Sequence, residues 1–191
     1  MTEGGRCGGA LAMLRRMTAY AAFLRAINVG GRNMIRMDAL KGLHEALGFS
    51  GVKTHLQSGN VVFTAKRADA ATIERAIAKT LELEITVILR TAAEMRAVVK
   101  ANPFPEHEAQ GNRLVVVFLS ELPADPHALD AYQGHEKKEV VGRELYVVYG
   151  DDMARSKLTN ALIEKKLGVR GTARNWNTVT KMTALLEELE S

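Results

Sequence analysis

Apolar and polar positions along the chain switch between a period of two and a helical period, and the switches lay out its elements. Residues 19–27, AYAAFLRAI, alternate and predict a strand that ends at the glycine pair Gly30 and Gly31. After a loop with two arginines, MDALKGLHEALG sets Leu40, Leu43 and Leu47 at helical spacing, with Asp38 as the expected cap and Gly48 as the stop. VKTHLQ and NVVFTA predict two short strands joined through Ser58 and Gly59, because glycine accepts the positive φ of a tight two-residue turn. DAATIERAIAKTLE predicts a second helix and ITVILR a further strand. A third helix is expected from Thr91, where Thr-x-x-Glu up to Glu94 makes a capping box, to a stop before Pro103.

The second part of the chain repeats the order. RLVVVFLS predicts a strand, DPHALDAY a short helix, KEVV and LYVVY a hairpin around Gly142 and Arg143, and DDMARSKLTNALIEKKLG a long helix. VRGTARNW reads as a weak strand and NTVTKMTALLEELE as a closing helix. The expected fold class is therefore α+β, with two ferredoxin-like halves (alpha-beta plaits) in tandem, each β-α-β-β-α-β followed by an extra helix. The expected division is 1–16 as an unstructured leader or misassigned start, 17–101 as the first half and 113–191 as the second. Residues 102–112, NPFPEHEAQGN, have two prolines and no periodicity and form the expected linker.

Composition narrows the function classes. At 191 residues and 47% hydrophobic the chain can bury a real core. Its apolar runs, such as Leu114 to Leu119, are far too short to cross a bilayer, so no membrane is expected among its partners. The single cysteine, Cys7, excludes an internal disulfide framework and a cysteine-rich metal site, and the expected setting is cytoplasmic. A formal charge of +4 is mild for a nucleic-acid binder. The charge is uneven, however: within 153–181, Arg155, Lys157, Lys165, Lys166, Arg170, Arg174 and Lys181 stand against Glu164 alone. The first loop region sets Arg25, Arg32, Arg36 and Lys41 against Asp38. Solvated faces are the ordinary reading of such runs.

Plait geometry brings polar residues together. A right-handed crossover makes the first two strands parallel with the third between them, so the end of strand one and the hairpin tip share an edge. That places Asn28, Gly30, Gly31 and Arg32 near Gln57, Ser58 and Asn60, where free backbone N–H groups and an arginine suit an anion. Ordinary turn chemistry explains the same residues equally well. On the long helix, Ala154, Leu158, Ala161 and Leu162 form one apolar stripe and Met153, Ile163 and Leu167 an opposite one. Ser156 and Asn160, with Lys157 at the margin, fall in the second stripe and so need partners between the halves. In TARNWNTVTK, Asn177 or Thr178 is the expected helix cap and Trp176 the staple just outside it. Arg174 and Asn175 are left over by capping and stand beside free helix N–H groups.

Catalytic signatures are weak. Ser58 has no nucleophile elbow and no histidine aimed at it, and His44, His55, His107, His127 and His135 lack metal-ligand spacing. Asp151 and Asp152 read as a helix-starting pair in preference to a Mg²⁺ site. The aromatic pattern of RNA-recognition plaits is missing, since NVVFTA offers only Phe63. No catalytic residue, cofactor or metal is assigned.

Four stretches, FLRAINVGGRNMIRM, LQSGNVVF, NPF and SKLTNALIEKKLG followed by TARNWNTVTKM, resemble family 1697 of domains of unknown function, widespread in bacteria. The resemblance runs from Met17 to Leu189 and implies two ferredoxin-like halves but no substrate. It puts Asn28, Gly30, Gly31, Gln57, Ser58, Gly59, Asn60, Ser156, Lys157, Asn160, Arg174, Asn175, Trp176 and Asn177 among the motif positions. The leading expectation is a small anionic or phosphate-bearing ligand held by polar loops, with Arg32 and Lys157 or Arg174 as charge partners. Nucleic-acid backbone binding through the basic C-terminal half, and a protein-interaction or assembly role through Trp176 or a sheet edge, are the alternatives.

Overall fold

The first strand carries apolar residues on both faces, and that sets the layering of the molecule. A computed structural model describes residues 17–150 and 155–191; the leader and the Asp151 and Asp152 pair fall outside the described residues. In β1 (Thr18–Leu24), Ala19, Ala21 and Phe23 enter a central core, while Ala22 and Leu24 enter an outer one. Elements α1 (Met37–Ala46), β2 (Ser50–His55), β3 (Asn60–Ala65), α2 (Ala70–Leu81), β4 (Val87–Thr91) and α3 (Ala92–Lys100) follow. They form an antiparallel sheet in the order β2-β3-β1-β4. A 3₁₀ turn over Pro105–Gln110 lies within the expected linker. Then come β5 (Leu114–Leu119), β6 (Lys137–Val141), β7 (Glu144–Val148), α4 (Asn160–Leu167), β8 (Gly171–Asn175) and α5 (Trp176–Glu190). The second sheet, β6-β7-β5-β8, repeats the order of the first. The chain is thus α+β with two four-stranded antiparallel sheets.

β5 is buried along its whole length because it faces two cores: Leu114, Val116 and Phe118 inward, Val115, Val117 and Leu119 outward. α3 and α5 fill the centre between the sheets, and α5 packs on β1 and β3 of the first sheet. α1 and α2 cover the outer face of sheet one, and α4 packs on that of sheet two. The inner faces of both sheets and the outer face of sheet one are therefore covered, while α4 covers only part of the outer face of sheet two. No helix among the described residues is long and apolar enough to cross a membrane.

Several local expectations are corrected. α1 starts after Arg36, whose side chain makes no cap; Asp38 lies in the first turn and pairs with Arg36 at 2.7 Å. The hairpin loop has four residues, 56–59, because His55 pairs with Asn60; Leu56 and Gly59 both adopt positive φ. DPHALDAY forms successive turns and no helix. The long helix shrinks to α4, capped by Thr159 Oγ1 on the Leu162 amide, so Leu158, Ile163 and Leu167 share one core and the two-stripe reading fails. α5 is capped by Asn175, whose Oδ1 accepts from the Thr178 amide at 2.9 Å, and Trp176 is its first residue, not a staple outside it. The Thr91 capping box is present as expected.

The two sheets are tied by exchanged arginines. Arg90 on β4 reaches over the Phe118 ring of sheet two and donates to Leu119 O and Arg143 O. Arg174 on β8 reaches over the Phe23 ring of sheet one and donates to Leu24 O and Ser58 O. Between them the Phe23 and Phe118 rings stack, with centroids 4.2 Å apart. The correspondence extends to Glu74 and Glu164, which accept from the first amides of β4 and β8, Val87 and Gly171. A residue-level repeat hidden in the sequence is thus explicit in space.

His44 is fully buried on α1 among Phe49 and Phe63, with Nδ1 on Leu40 O at 2.8 Å and no partner for Nε2. Burial holds its pKa below the ordinary 6.5. Unfolding therefore takes up a proton once the pH falls below about 6.5. The stability contributed by neutral His44 is present above that pH and is lost as the pH falls toward the folded-state value. His55, lowered by partial burial and by Lys181, adds a term of the same sign. Urea denaturation between pH 7.5 and 5 should show falling stability in the wild type and a shallower fall in His44→Leu. Equal slopes would remove the assignment.

Candidate functional site

The sequence-predicted polar residues separate into three places. Asn28 stitches the first loop to the hairpin: Nδ2 donates to Gln57 O at 2.7 Å and to Ile35 O at 3.0 Å, while Oδ1 accepts from the Ile35 amide at 2.8 Å. Gly30 and Gly31 have positive φ and open space around them, and Arg32 is exposed beside them. Of the edge convergence expected from topology, the contact of Asn28 with the hairpin is present, and its side-chain amide is taken up in holding the two loops together.

Arg174 and Asn60 make the second place. Asn60 is fully buried; its Nδ2 donates to His55 O and Ser58 Oγ, and its Oδ1 accepts from Arg174 Nε. Arg174 also donates to Thr172 Oγ1, Ala173 O, Leu24 O and Ser58 O, all between 2.7 and 2.9 Å. All five N–H groups are taken by neutral oxygens, and burial pulls the guanidinium down to about 10. Its counterpart Arg90 has a carboxylate, Glu144, at 2.7 Å. Asn60 cannot be replaced by such a carboxylate, because the same side chain must donate to His55 O. Trp176, 3% exposed, belongs to the central core with Val179 and Met182.

The third place is a cleft created where sheet two departs from sheet one. Sheet one is covered by α1, through Leu40, Leu43 and the His44 ring; the matching segment after β5 forms only turns, with Leu129 as its buried anchor. The connection from hairpin to helix cap is also longer in the second sheet, ten residues (149–158) against three (66–68). Between the turns and the described ends of this connection lies a cleft of about 550 Å³, lined by Tyr132, His135, Glu136, Tyr149, Arg155, Ser156 and Lys157 among others. Ser156 Oγ donates to Glu136 Oε1 and accepts from the Leu158 amide at 3.0 Å, which fixes the cleft wall. Burial alone would raise the Glu136 carboxyl, but hydrogen bonds from Ser156 and its own backbone amide leave it below the usual carboxylate range. Burial, with the Glu136 and Tyr132 charges, pushes Tyr149 up to about 12, and its hydroxyl donates to Leu158 O at 3.1 Å. The Lys157 ammonium is exposed on the rim and has no partner among the described residues.

A second cleft of about 450 Å³ has Tyr149 and Ser156 in common with the first among its lining residues. Val115, Leu158 and Ala173 form its apolar part, and Asn112, Thr159, Asn160 and Asn175 its polar part. Asn112 Oδ1 accepts from Asn177 Nδ2 at 3.0 Å and from Asn175 Nδ2 at 3.4 Å. Periodicity missed Tyr132, Glu136, Tyr149 and Asn112, because they line the clefts from connections whose shape no alternation or helical spacing records. The basic run is also weaker than its count suggests: Arg174 points inward, Arg170 bonds Thr86 at 2.7 Å, and Glu164 is held bidentately by Arg25.

Comparison with known proteins agrees with this architecture. The family described as Protein of unknown function (DUF1697) matches residues 17–146, and the chain belongs to that family. No curated protein matches the chain. Among solved structures, the conserved bacterial protein SP0830 from Streptococcus pneumoniae is similar, with a TM-score of 0.69 at 21% identity, covering 90% of this chain and 99% of that one. At that identity the likeness speaks for the fold alone.

Proposed function

We propose that this member of a family of unknown function binds a small phosphate-bearing or other anionic ligand in the cleft lined by Tyr132, Glu136, Tyr149, Ser156 and Lys157. One observation carries the reading: the cleft is rimmed by Lys157, Arg155 and His135, while Glu136, the one acid among its described lining residues, accepts from Ser156 through Oε1. An ammonium with no partner among the described residues, beside an apolar, partly enclosed cavity, favours an anion, because the charge is less screened there than on open surface. We further propose that each sheet with its helices is a ferredoxin-like plait, spanning 17–101 and 113–191 with 102–112 as connector, and that the protein is cytoplasmic. The matching strand orders support the first and the lone cysteine the second.

The reading is tested by thermal shift and calorimetry with phosphate, pyrophosphate and phosphorylated metabolites. At least one should raise the melting temperature, and Lys157→Ala should weaken that ligand by about 1.5–3 kcal/mol, roughly 10- to 100-fold. Since Lys157 is exposed, its loss should leave the melting temperature of the free protein unchanged. No shift with any anion, or equal binding by the variant, removes the reading.

A further inference from the structure

The cleft that carries the anion reading borders a second one, with Tyr149 and Ser156 lining both. The second has no lysine, arginine or carboxylate among its described lining residues. That compartment pairs an apolar surface, from Val115, Leu158 and Ala173, with amide side chains at its edge. The amides are unequally engaged. Asn175 Oδ1 caps α5 and its Nδ2 turns to Asn112. Accepting from two amides fixes the orientation of Asn112 and leaves its Nδ2 as a donor. Asn160, exposed at the start of α4, uses neither end of its side chain on any partner among the described residues.

We propose that the ligand is a mononucleotide, its phosphate beside Lys157 and its base in the amide-lined compartment. A planar heterocycle has the two surfaces this compartment matches: apolar faces for Val115, Leu158 and Ala173, and an edge of alternating donors and acceptors for Asn160 and Asn112. An asparagine amide presents one acceptor and two donors in a plane and reads such an edge bidentately. A bare phosphate or an aliphatic phosphate fills only the first cleft and leaves the amides to water. The proposal rests on the anion reading of the first cleft and adds the chemical class of the group attached to the phosphate.

Calorimetry on the full chain with AMP, GMP, CMP, UMP, ribose 5-phosphate and a short single-stranded RNA separates the two ideas. At least one mononucleotide should bind about tenfold more tightly than ribose 5-phosphate, a difference of about 1.4 kcal/mol. Asn160→Ala should erase that advantage while ribose 5-phosphate binds as before, and Lys157→Ala should weaken both. Circular dichroism confirms that the variants are folded. Equal binding of nucleotides and ribose 5-phosphate overturns the nucleotide proposal and leaves the anion reading in place; so does an Asn160→Ala loss shared by every phosphate. Tighter binding of the RNA than of every mononucleotide also overturns it, in favour of a strand. Absence of binding by all of them removes both.

Discussion

Arg174→Met should cost the protein about 3–5 kcal/mol, the range expected when a buried, fully bonded charge site loses one side. The substitution keeps an apolar stem of similar length and removes the charge, so the loss reports the hydrogen bonds. Those bonds reach the Leu24, Ser58 and Ala173 carbonyls, Asn60 Oδ1 and Thr172 Oγ1, and they join β8 to the end of β1 and the hairpin loop. Without the guanidinium, several shielded acceptors have no donor. For a chain of this size the loss corresponds to a melting temperature lower by roughly 6–20 °C. Arg174→Lys should fall between wild type and Met, because an ammonium donates but lacks the planar fork that spans acceptors on three segments. A change below about 1 kcal/mol in Arg174→Met would show that the carbonyls find other donors.

Gly59→Ala should destabilise by about 2–4 kcal/mol, from two sources that add. Gly59 has a φ of +76°, where an L side chain crowds its own backbone. A Cβ there would also stand 2.9 Å from Leu24 Cβ and 2.5 Å from Ile27 Cδ1, both buried, so the first strand's exit would have to shift. Gly30→Ala is the control. Its φ of +57° carries the same backbone cost, but no atom lies within 4 Å of the added carbon. Chemical denaturation should therefore rank Gly59→Ala as the larger loss by about 1–3 kcal/mol, the packing share. Equal losses would mean that only the backbone conformation matters at position 59. The same shift would move the carbonyl of Gly59, which accepts from the Leu24 amide at 2.9 Å, so the two largest effects converge on one loop.

Much of the fold was legible because the signals are local. The alternation around Val61 and Phe63, the Thr91 to Glu94 box and the run from Leu114 to Leu119 each lie within one element, and each element formed as read. Failures arose where a local rule had several solutions. Asp38, Asn177 and Thr178 are all good caps by type, but the chain direction before each helix chose Arg36 and Asn175. The Asp-rich start of the expected long helix promised eighteen residues; Thr159 and the buried Leu158 set the real boundary eight residues further on. DPHALDAY had helical spacing too few turns long to hold a helix without strong packing, and only Leu129 supplies a deep anchor.

The candidate site was half legible. Ser156, Lys157, Asn160 and Asn175 were singled out and do line the clefts, whereas Tyr132, Glu136 and Tyr149, which complete the walls, were not. They come from connections whose shape depends on what fails to pack, a property no periodicity records. By itself the amino-acid sequence determined the number of the strands and their order along the chain, since alternation and helical spacing are imposed by backbone geometry within each segment. Only the tertiary structure decided what the polar residues do. Three partners of Arg174, namely Asn60, Ser58 and Leu24, lie 114 to 150 positions away, and it was their arrival from the other sheet that turned a candidate anion binder into an internal tie. Lys157 by contrast lies on the rim of a cleft, with no partner among the described residues.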